Sequence, residues 1–546
     1  SFHLNLTAFG FLAFAVGLFI VHAAIALAFE QRRPVFRTLR ALGVPALALM
    51  GLLAAELLIL ALVSGLIGVV IGYGIAAALL PDVAATLRGL YGATVSGTLS
   101  LRPSWWAAGV VIAVLGTAAA SGLSLWRVWR LPLLAAAQPR AWARASEAGL
   151  VVQSGMGLAL IALAGLIGAF GQGLIAGFAL LAALMLGAVL LLPLVLQGCL
   201  ALGQRLARGP VAQWFWADTR QQVPGLSLAL MALMLALAAN IGVGTMVSSF
   251  RLTFTGWLDQ RLPAELYLTA RDQPEADRLA AWLSPRVDAV LPIASIKMPL
   301  RGAPGEIYGM VDHATYRDNW PLLKRAADVW DLFAAGQGAL INEQLARREG
   351  IEIGDSFAMT DVWTAKVTGI FSDYGNPLGQ AIVPLPQLVQ HYPDLPRQRL
   401  GVRIAPDRVA ALRQDLEAEF GLPPDAMVNQ AAIKAFSLSV FERTFTVTAA
   451  LNVLTLGVAG FAILTSLLTL ATMRLPQLAP VWALGLTRSA LARLELLRAG
   501  LLAAITMVAA LPLGLALAWV LLAIVNVEAF GWRLPMHVFP ADWLVL

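Results

Sequence analysis

Eight long apolar stretches decide what this chain can fold into. Each has at least about 20 mostly apolar residues, the length that an α-helix needs to cross the hydrocarbon of a bilayer. Only 13% of the residues are charged, against about 25% in soluble domains. The chain is therefore predicted to be a polytopic α-helical membrane protein. The predicted spans lie near 4–29, 46–80, 105–128, 150–170, 174–198, 226–250, 445–473 and 491–525.

The arginines between these spans predict their orientation. Four separate groups fall on one side if every span crosses once, and loops rich in Lys and Arg face the cytoplasm. The opposite, extracytoplasmic side then receives 81–104, the short turn at 171–173, the long segment 251–444 and 526–541. The four groups are Arg32, Arg33, Arg37 and Arg40; Arg127, Arg130, Arg140 and Arg144; Arg205, Arg208 and Arg220; and Arg474, Arg488, Arg493 and Arg498.

The long outer segment has a different composition from the spans. From about 261 to 443, charges of both signs return, and strand-like pieces such as "EIYGMVD" and "AKVTGIF" alternate with helix-like pieces such as "EADRLAAWLS". About 180 residues are enough for a domain with its own core. The fold class is thus a helical membrane protein with an extracytoplasmic α/β domain.

No motif in the sequence indicates that this chain catalyses a reaction or binds a metal ion. A Walker A motif and an HExxH motif are both absent, the five histidines are scattered, and Cys199 is the only cysteine. We therefore predict no catalytic residues, no metal site and no cofactor bound by this chain. The net charge of +6 is interpreted as cytoplasmic loop arginines and not as nucleic-acid binding.

One pattern is written twice, more than four hundred residues apart. "RRPVFRTLRALG" from Arg32 and "RLPQLAPVWALG" from Arg474 share an arginine, a proline and a final Ala-Leu-Gly at one fixed offset. Each copy precedes an apolar helix of about 35 residues, which is about 50 Å long and exceeds a hydrocarbon thickness of about 30 Å. The pattern predicts an interfacial helix, a turn at a C-capping glycine (Gly43 or Gly485) and a long span.

These residues resemble a known family. The segment "NLTAFGFLAFAVGLFIVHAAIALAFEQRRPVFRTLRALGV" resembles the core of the FtsX-like permeases, the membrane subunits of type VII ABC transporters, a group that includes MacB and the LolC/LolE pair. The resemblance extends over 46–130, recurs over 444–546 and covers nearly all of the apolar chain. Two copies separated by the spans of 150–198 are similar to the duplicated, ten-span YbbP-like type.

The resemblance implies a division of the chain. It comprises a first FtsX-like unit at 1–130, a linker with two connecting spans at 131–200, an amphipathic segment and span at 201–260, the outer domain at 261–443 and a second unit at 444–546. We also expect about ten spans in the full-length protein, with further protein at both ends. The stretch "WFWADTRQQVPG" is interpreted as a separate amphipathic helix on the inner leaflet, as at the start of other FtsX-like units.

In such permeases the interfacial helix is the coupling helix that docks on the ATPase. The resemblance therefore implies two docking segments, although Leu475 and Trp482 replace Arg33 and Arg40 in the second, so the two surfaces are unequal. The predicted docking residues are Arg32, Arg33, Arg37, Leu39, Arg40, Ala41, Leu42, Gly43, Arg474, Pro476, Trp482, Ala483, Leu484 and Gly485.

The resemblance also implies a function. The chain is expected to be the permease subunit of a bacterial inner-membrane ABC transporter, with ATP and Mg²⁺ held by a separate cytoplasmic ATPase homodimer. ATP-driven movement would reach the outer domain, a process called mechanotransmission, and move lipoproteins, lipids, peptides or other amphiphiles. Membrane lipids and an outer lipid-binding protein or hydrolase are the other expected partners. The alternative is a regulatory scaffold that activates an extracytoplasmic hydrolase without transport.

Polar residues within the spans are costly and are functional candidates by default. Glu56, Asn240 and Asn452 are of this kind, and pairing of Glu56 with another helix or with an interfacial arginine is favoured over a proton relay. An ion-coupled secondary transporter is typically richer in ionisable groups near mid-membrane and has broken helices there. That class is therefore the least favoured.

Overall fold

A computed structural model describes most of the chain. It covers residues 35–91, 102–129, 139–439 apart from Asp361 and Pro377, and 485–543, with single positions within 10–32 and 453–483. The chain divides into two compact units. The membrane unit comprises Ser1–Met246, Arg443–Leu521 and Val538–Leu546, and the second unit comprises Val247–Glu442 and Leu522–His537. The second unit thus includes a late segment that the predicted domain range of 261–443 lacks.

The helices are numbered in chain order. They are α1 Ala46–Tyr91, α2 Pro103–Trp129, α3 Pro139–Phe170, α4 Gly173–Leu206, α5 Pro210–Arg261, α6 Gln273–Leu283, α7 Ala314–Asn319, α8 Val329–Ala334, α9 Glu343–Glu349, α10 Leu385–His391, α11 Val409–Phe420, α12 Arg488–Val520, α13 Asn526–Phe530 and α14 Pro540–Trp543. A π-helical turn, Leu521–Val525, joins α12 to α13.

Six helices in the described residues are long and apolar enough to cross a membrane. They comprise α1 to α5 and the segment Arg488–Phe530, which contains α12. They correspond to six of the eight predicted spans, and the other two, 4–29 and 445–473, lie largely outside the described residues. Helix α5 is the most enclosed, because 83% of its most apolar window is buried, against 22% for α1.

Helix α5 differs from its prediction. The stretch "WFWADTRQQVPG" was predicted to form an amphipathic helix on the inner leaflet, before the span. Instead, it is continuous with the following span in one helix of 52 residues, with Pro224 inside it. Proline is tolerated in such helices because neighbouring groups satisfy the freed backbone carbonyl. At about 1.5 Å per residue the helix is about 78 Å long, far more than the bilayer core requires.

The second unit is a mixed α/β domain around a ten-stranded sheet. The strand order is β10-β1-β9-β2-β3-β8-β5-β7-β4, and β6 pairs with β7. The pairs β3–β8 and β5–β7 are parallel, and the other pairs are antiparallel. The strands are β1 Leu266–Thr269, β2 Ala289–Leu300, β3 Ala303–Met310, β4 Leu322–Arg325, β5 Gly338–Asn342, β6 Ser356–Thr360, β7 Trp363–Phe371, β8 Gly379–Pro384, β9 Arg399–Arg403 and β10 Met427–Asn429.

Local sequence accounts for these elements. Helix α6 begins at the N-cap Asp272, whose side chain accepts a hydrogen bond from the Glu275 amide, and α9 ends at Gly350 in the left-handed conformation that glycine favours. Strand β5 is buried along its whole length, whereas β1 alternates, which is typical of a central and a half-covered strand respectively. The predicted α/β domain is therefore confirmed.

Candidate coupling site

The first predicted hinge has the backbone that its sequence indicates. A short helix over 35–41 ends at Gly43, whose φ of +98° is disfavoured for residues with a Cβ. The Val44 amide donates a 3.0 Å hydrogen bond to the Leu39 carbonyl across this turn, and α1 starts at Ala46. This arrangement is a glycine C-cap followed by a new helix.

The second hinge repeats the same turn. Gly485 has a φ of +104°, and its amide donates a 3.0 Å hydrogen bond to the Trp482 carbonyl. The Thr487 side chain then accepts a hydrogen bond from the Ala490 amide and caps the start of α12. The repeated sequence thus forms the same turn at Gly43 and at Gly485. Docking of the ATPase at these segments stays a prediction.

The first docking segment has a buried face and an exposed face. Phe36 is buried and packs edge to face with Phe29 at 6.0 Å between ring centroids. Leu39, a predicted docking residue, packs against the same cluster as Phe36 and is partly buried. Leu42 instead exposes 77% of its surface. Of the two predicted docking leucines, Leu42 and not Leu39 is therefore accessible to a partner.

The remaining predicted docking residues are placed as follows. Ala41 and Ala483 are exposed, and Arg37 and Arg40 are partly buried. Trp482 is 54% exposed, with the Arg488 guanidinium 5.7 Å from its ring centroid. Arg33, Arg474, Pro476 and Leu484, together with the intramembrane Asn452, lie outside the described residues.

Glu56 pairs with an interfacial arginine, one of the two kinds of partner favoured for it over a proton relay. Arg32 Nη1 donates hydrogen bonds of 2.7 and 2.9 Å to the two carboxylate oxygens of Glu56. The pair links the docking segment to α1. Both side chains are half exposed, at 52% for Arg32 and 41% for Glu56. Arg32, predicted to face the ATPase, is thus engaged within its own copy.

Asn240 also has a structural partner within the membrane unit. Its Nδ2 donates to the Thr455 hydroxyl at 3.4 Å and to the Ala236 carbonyl at 3.3 Å. Hydrogen bonds of this type are common between membrane helices, where an unsatisfied amide is costly. This contact explains Asn240 as helix pairing, with no need for a transported ion.

No sequence signal singled out Arg498, the most buried large polar side chain among the described residues of the membrane unit. Arg498 of α12 is 2% exposed and was noted only as a cytoplasmic-side arginine. Its Nε donates to the Thr219 hydroxyl of α5 at 3.0 Å, its Nη1 donates to Glu495 Oε1 at 2.7 Å, and its Nη2 donates to Asp218 of α5. One guanidinium therefore joins α12 to α5.

A glycine contact joins the same two helices farther along. A Cβ added at Gly514 of α12 would lie 2.6 Å from the Ile241 side chain, and one added at Gly242 of α5 would lie 3.0 Å from the Leu517 Cβ. The two backbones therefore approach closely, as small residues allow in membrane helices. Helices α5 and α12 are held together by a buried charge cluster at one level and by glycines at another.

In the second unit, aromatic rings surround the last turns of α5. We call Phe250, Phe254, Trp257, Tyr374 and Trp532 the aromatic junction. Trp532 lies 5.8 Å from Phe250 and 5.3 Å from Tyr374, and Trp257 lies 5.8 Å from Tyr374 (all between ring centroids). The junction thus brings together α5, the loop after β7 and the segment after α13.

Hydrogen bonds reinforce the aromatic junction. Trp257 Nε1 donates to the Ser372 carbonyl at 2.9 Å, and the His537 amide donates to the Ser249 hydroxyl at 3.0 Å. Burial raises the pKa of the Tyr374 hydroxyl, although a hydrogen bond with Ser372 opposes this shift. The tyrosine is therefore neutral at physiological pH, as an aromatic packing role requires.

The last residue of α5 inserts its charge into the domain. The Arg261 guanidinium lies 4.5 Å from the Trp320 ring centroid and 5.5 Å from that of Phe371. Its Nη2 donates a 2.6 Å hydrogen bond to Gln380 Oε1, and its Nε lies 3.9 Å from Asp373 Oδ1. Stacking and a planar donor set are properties of arginine that lysine lacks. Arg261 therefore anchors the end of α5 among the strands of the sheet.

The described residues contain no group of three or more His, Cys, Asp or Glu side chains arranged to hold a metal ion. The site as described consists of two hinge turns, a helix pair and an anchored helix end. Its polar clusters bind one helix to another.

Comparison with known proteins agrees with this architecture. Residues 7–133 match the family of the FtsX-like permease C-terminal region, and residues 226–419 match the MacB-like periplasmic core domain. An uncharacterized ABC transporter permease protein of Mycobacterium tuberculosis is 26% identical over 580 residues, a match that covers 100% of this chain and 66% of that protein. The chain thus spans about two thirds of the length of this curated relative.

Two solved structures resemble part of the chain. The periplasmic region of MacB from Actinobacillus actinomycetemcomitans is 14% identical, with a TM-score of 0.25, covering 32% of this chain and 94% of that one. The extracellular domain of the transporter YknZ from Gram-positive bacteria is 15% identical, with a TM-score of 0.24, covering 30% of this chain and 98% of that one.

The matched regions fit the two parts of the molecule described above. The FtsX-like match contains the first hinge, and the MacB-like match begins within α5 and continues through the α/β domain. Together with the spanning helices, these matches show a membrane protein with an FtsX-like permease region and a MacB-like periplasmic core region, and the chain is similar over its length to an ABC transporter permease.

Proposed function

We propose that this permease converts ATP-driven closure of a cytoplasmic ATPase homodimer into movement of its extracytoplasmic domain. ATP and Mg²⁺ would be held by the ATPase, and the two glycine hinges would carry the docking segments. The movement would extract or move lipoproteins, lipids, peptides or other amphiphiles, with an accessory extracytoplasmic protein as a further partner.

The observation that carries this proposal is the continuity of α5. One helix runs from the cytoplasmic-side residues next to Arg498 to Arg261, whose guanidinium is held by aromatic rings and Gln380 in the domain. In this proposal, displacement of the cytoplasmic end of α5 would be passed along the helix to Arg261. The anchoring of this helix among the strands of the extracytoplasmic domain supports a role for that domain in receiving the movement.

The docking part is tested with the double variant Arg40→Asp/Leu42→Asp. Leu42 is 77% exposed, so the variant should fold and insert, yet it should lose co-purification with the ATPase and the stimulated ATP hydrolysis. The matched control is Leu206→Asp, because Leu206 is 73% exposed near the cytoplasmic end of α4. Retention of the ATPase by the double variant would remove the first hinge from the docking surface.

The transport part is tested with the complex in proteoliposomes. Release of a fluorescent lipopeptide or phospholipid to an acceptor should require ATP hydrolysis and should fail for the double variant. Stimulated ATP hydrolysis with no release of either probe would favour the regulatory scaffold. Activation of a co-reconstituted cell-wall hydrolase would then identify its output.

A further inference from the structure

The fixed offset that aligns the two hinges also aligns Glu56 with Arg498. Both residues lie the same distance beyond the hinge glycine, on the first turns of the long span, yet their charges are opposite. In the first copy, Glu56 pairs with Arg32 of its own docking segment. In the second copy the aligned positions are both arginines, Arg474 and Arg498, so the same ion pair cannot form.

The second copy uses this position to contact another helix. Arg498 donates to both Asp218 and Thr219 of α5, and its guanidinium lies 5.6 Å from the Phe215 ring centroid. Gln222 Nε2 also donates to the Asp218 carboxylate at 3.0 Å, which orients the acceptor. The side chain of Arg498 is almost wholly buried, whereas that of Glu56 is half exposed.

We propose that Arg498 is a positioning residue of the coupling path, which clasps the hinge end of α12 to α5 so that the two helices move as one body. This inference rests on the proposed function, because it assumes that movement enters at the hinges. In the proposed mechanism, the clasp causes α5 to move together with α12 when the chain moves at Gly485. Without the contacts of Arg498, movement at the hinge would displace α12 relative to α5.

A buried guanidinium with carboxylate and hydroxyl acceptors suits this task. Charge-assisted hydrogen bonds are directional and strong, and losing one in a poorly solvated site is costly. Sliding of α12 along α5 would break the bonds of Arg498 to Asp218 and Thr219 together. The glycine contact at Gly514 and Gly242 keeps the two backbones close farther along the same pair, so the clasp and the glycine contact hold the two helices at two separate levels.

The experiment measures the distance between the two helices in the full-length permease with its ATPase. Spin labels are placed at the exposed positions Gln213 of α5 and Leu496 of α12, after Cys199→Ser, and distances are recorded without nucleotide and with vanadate-trapped ATP. In the otherwise unaltered protein, the distance distribution should be the same in both states. Asp218→Asn should abolish this invariance, giving a distribution that shifts or broadens on trapping.

Matched variants separate positioning from general stability. Glu495→Gln removes a carboxylate partner of Arg498 on its own helix and should keep the invariant distance, as should the conservative Asp218→Glu. Thr219→Val should behave like Asp218→Asn, because it also removes a bond between the helices. Since Arg498 itself is buried, these partner variants avoid the change most damaging to folding.

Three outcomes are decisive. An invariant distance that only Asp218→Asn and Thr219→Val disturb supports the clasp. A distance that changes on trapping in the unaltered protein overturns it, as does an Asp218→Asn protein with an invariant distance. Failure of the proposed function is separate, since the unaltered permease would then neither bind the ATPase nor stimulate ATP hydrolysis.

Discussion

The two hinges share one backbone turn and differ in what holds the span that follows. Gly43 and Gly485 adopt the same left-handed conformation, and a long helix starts within three residues of each. After the first hinge, a half-exposed ion pair ties the span to its own docking segment. After the second, a buried cluster ties the span to α5.

This difference shows that repeated sequence can preserve a hinge while its attachments diverge. The turn depends on one glycine and local hydrogen bonds, so a copied segment keeps it. The attachment of the second span depends on a distant helix, α5, which a copy of one segment does not bring along. The aligned positions of Glu56 and Arg498 therefore mark where the contacts of the two copies differ.

The largest expected effect is on stability at this position. Arg498→Gln should destabilise the protein by about 3–5 kcal/mol, because it removes one partner from a buried charge cluster. Glu56→Gln should cost at most about 1 kcal/mol, because its pair is half exposed and solvent screens it. Thermal unfolding of the purified full-length protein in detergent would show this difference in melting temperature. Equal shifts for the two variants would mean that burial does not distinguish the copies.

The next effect concerns two glycines at equivalent places of the long spans. Gly514 faces Ile241, so Gly514→Val should overpack the contact with α5 and cost about 1–3 kcal/mol. No described atom lies within 4 Å of a Cβ built at its counterpart, Gly72, so Gly72→Val should change stability by less than about 1 kcal/mol. The same melting experiment compares them. A larger loss at Gly72 would show that this face of α1 is packed in the membrane.

The sequence was sufficient for features with a local cause. The hinge turns follow from the final glycine of each copy, and the strand "AKVTGIF" follows from its β-branched pattern, now part of β7. Pairing of Glu56 followed from the cost of an isolated charge beside apolar residues. Each of these needed only the neighbouring residues and a general rule.

Features that join distant parts of the chain were not predicted. Arg498 contacts residues 279 and 280 positions away, and as one of several cytoplasmic-side arginines it carried no distinguishing signal except its alignment with Glu56. The aromatic junction likewise depends on Trp532 meeting rings far earlier in the chain. The aromatic and charged stretch before the sixth span was interpreted as a helix on the inner leaflet, yet it is continuous with that span in α5.

The smallest expected effect tests whether the two docking surfaces differ chemically. The first presents the partly buried Arg40 beside Leu42, and the second presents Trp482, which is 54% exposed with Arg488 near its ring. A guanidinium contact with a carboxylate of the ATPase would be charge-assisted, whereas an indole contributes mostly apolar area. Salt screens exposed charges over about 10 Å at 0.1 M, but it hardly affects apolar burial.

A salt series distinguishes a charge-assisted contact from an apolar one. The quantity measured is the ATP hydrolysis that the Arg40→Ala and Trp482→Ala permeases stimulate. Arg40→Ala should weaken stimulation mainly at low ionic strength, because at high salt the contact that it removes is already weak. Trp482→Ala should weaken stimulation at low and high salt alike. Leu206→Ala, an exposed position outside both hinges, controls for general effects of truncation on the cytoplasmic side. Superimposable salt profiles for Arg40→Ala and Trp482→Ala would show that the copies dock equivalently, which would confine their divergence to the contacts of Glu56 and Arg498 behind the hinges.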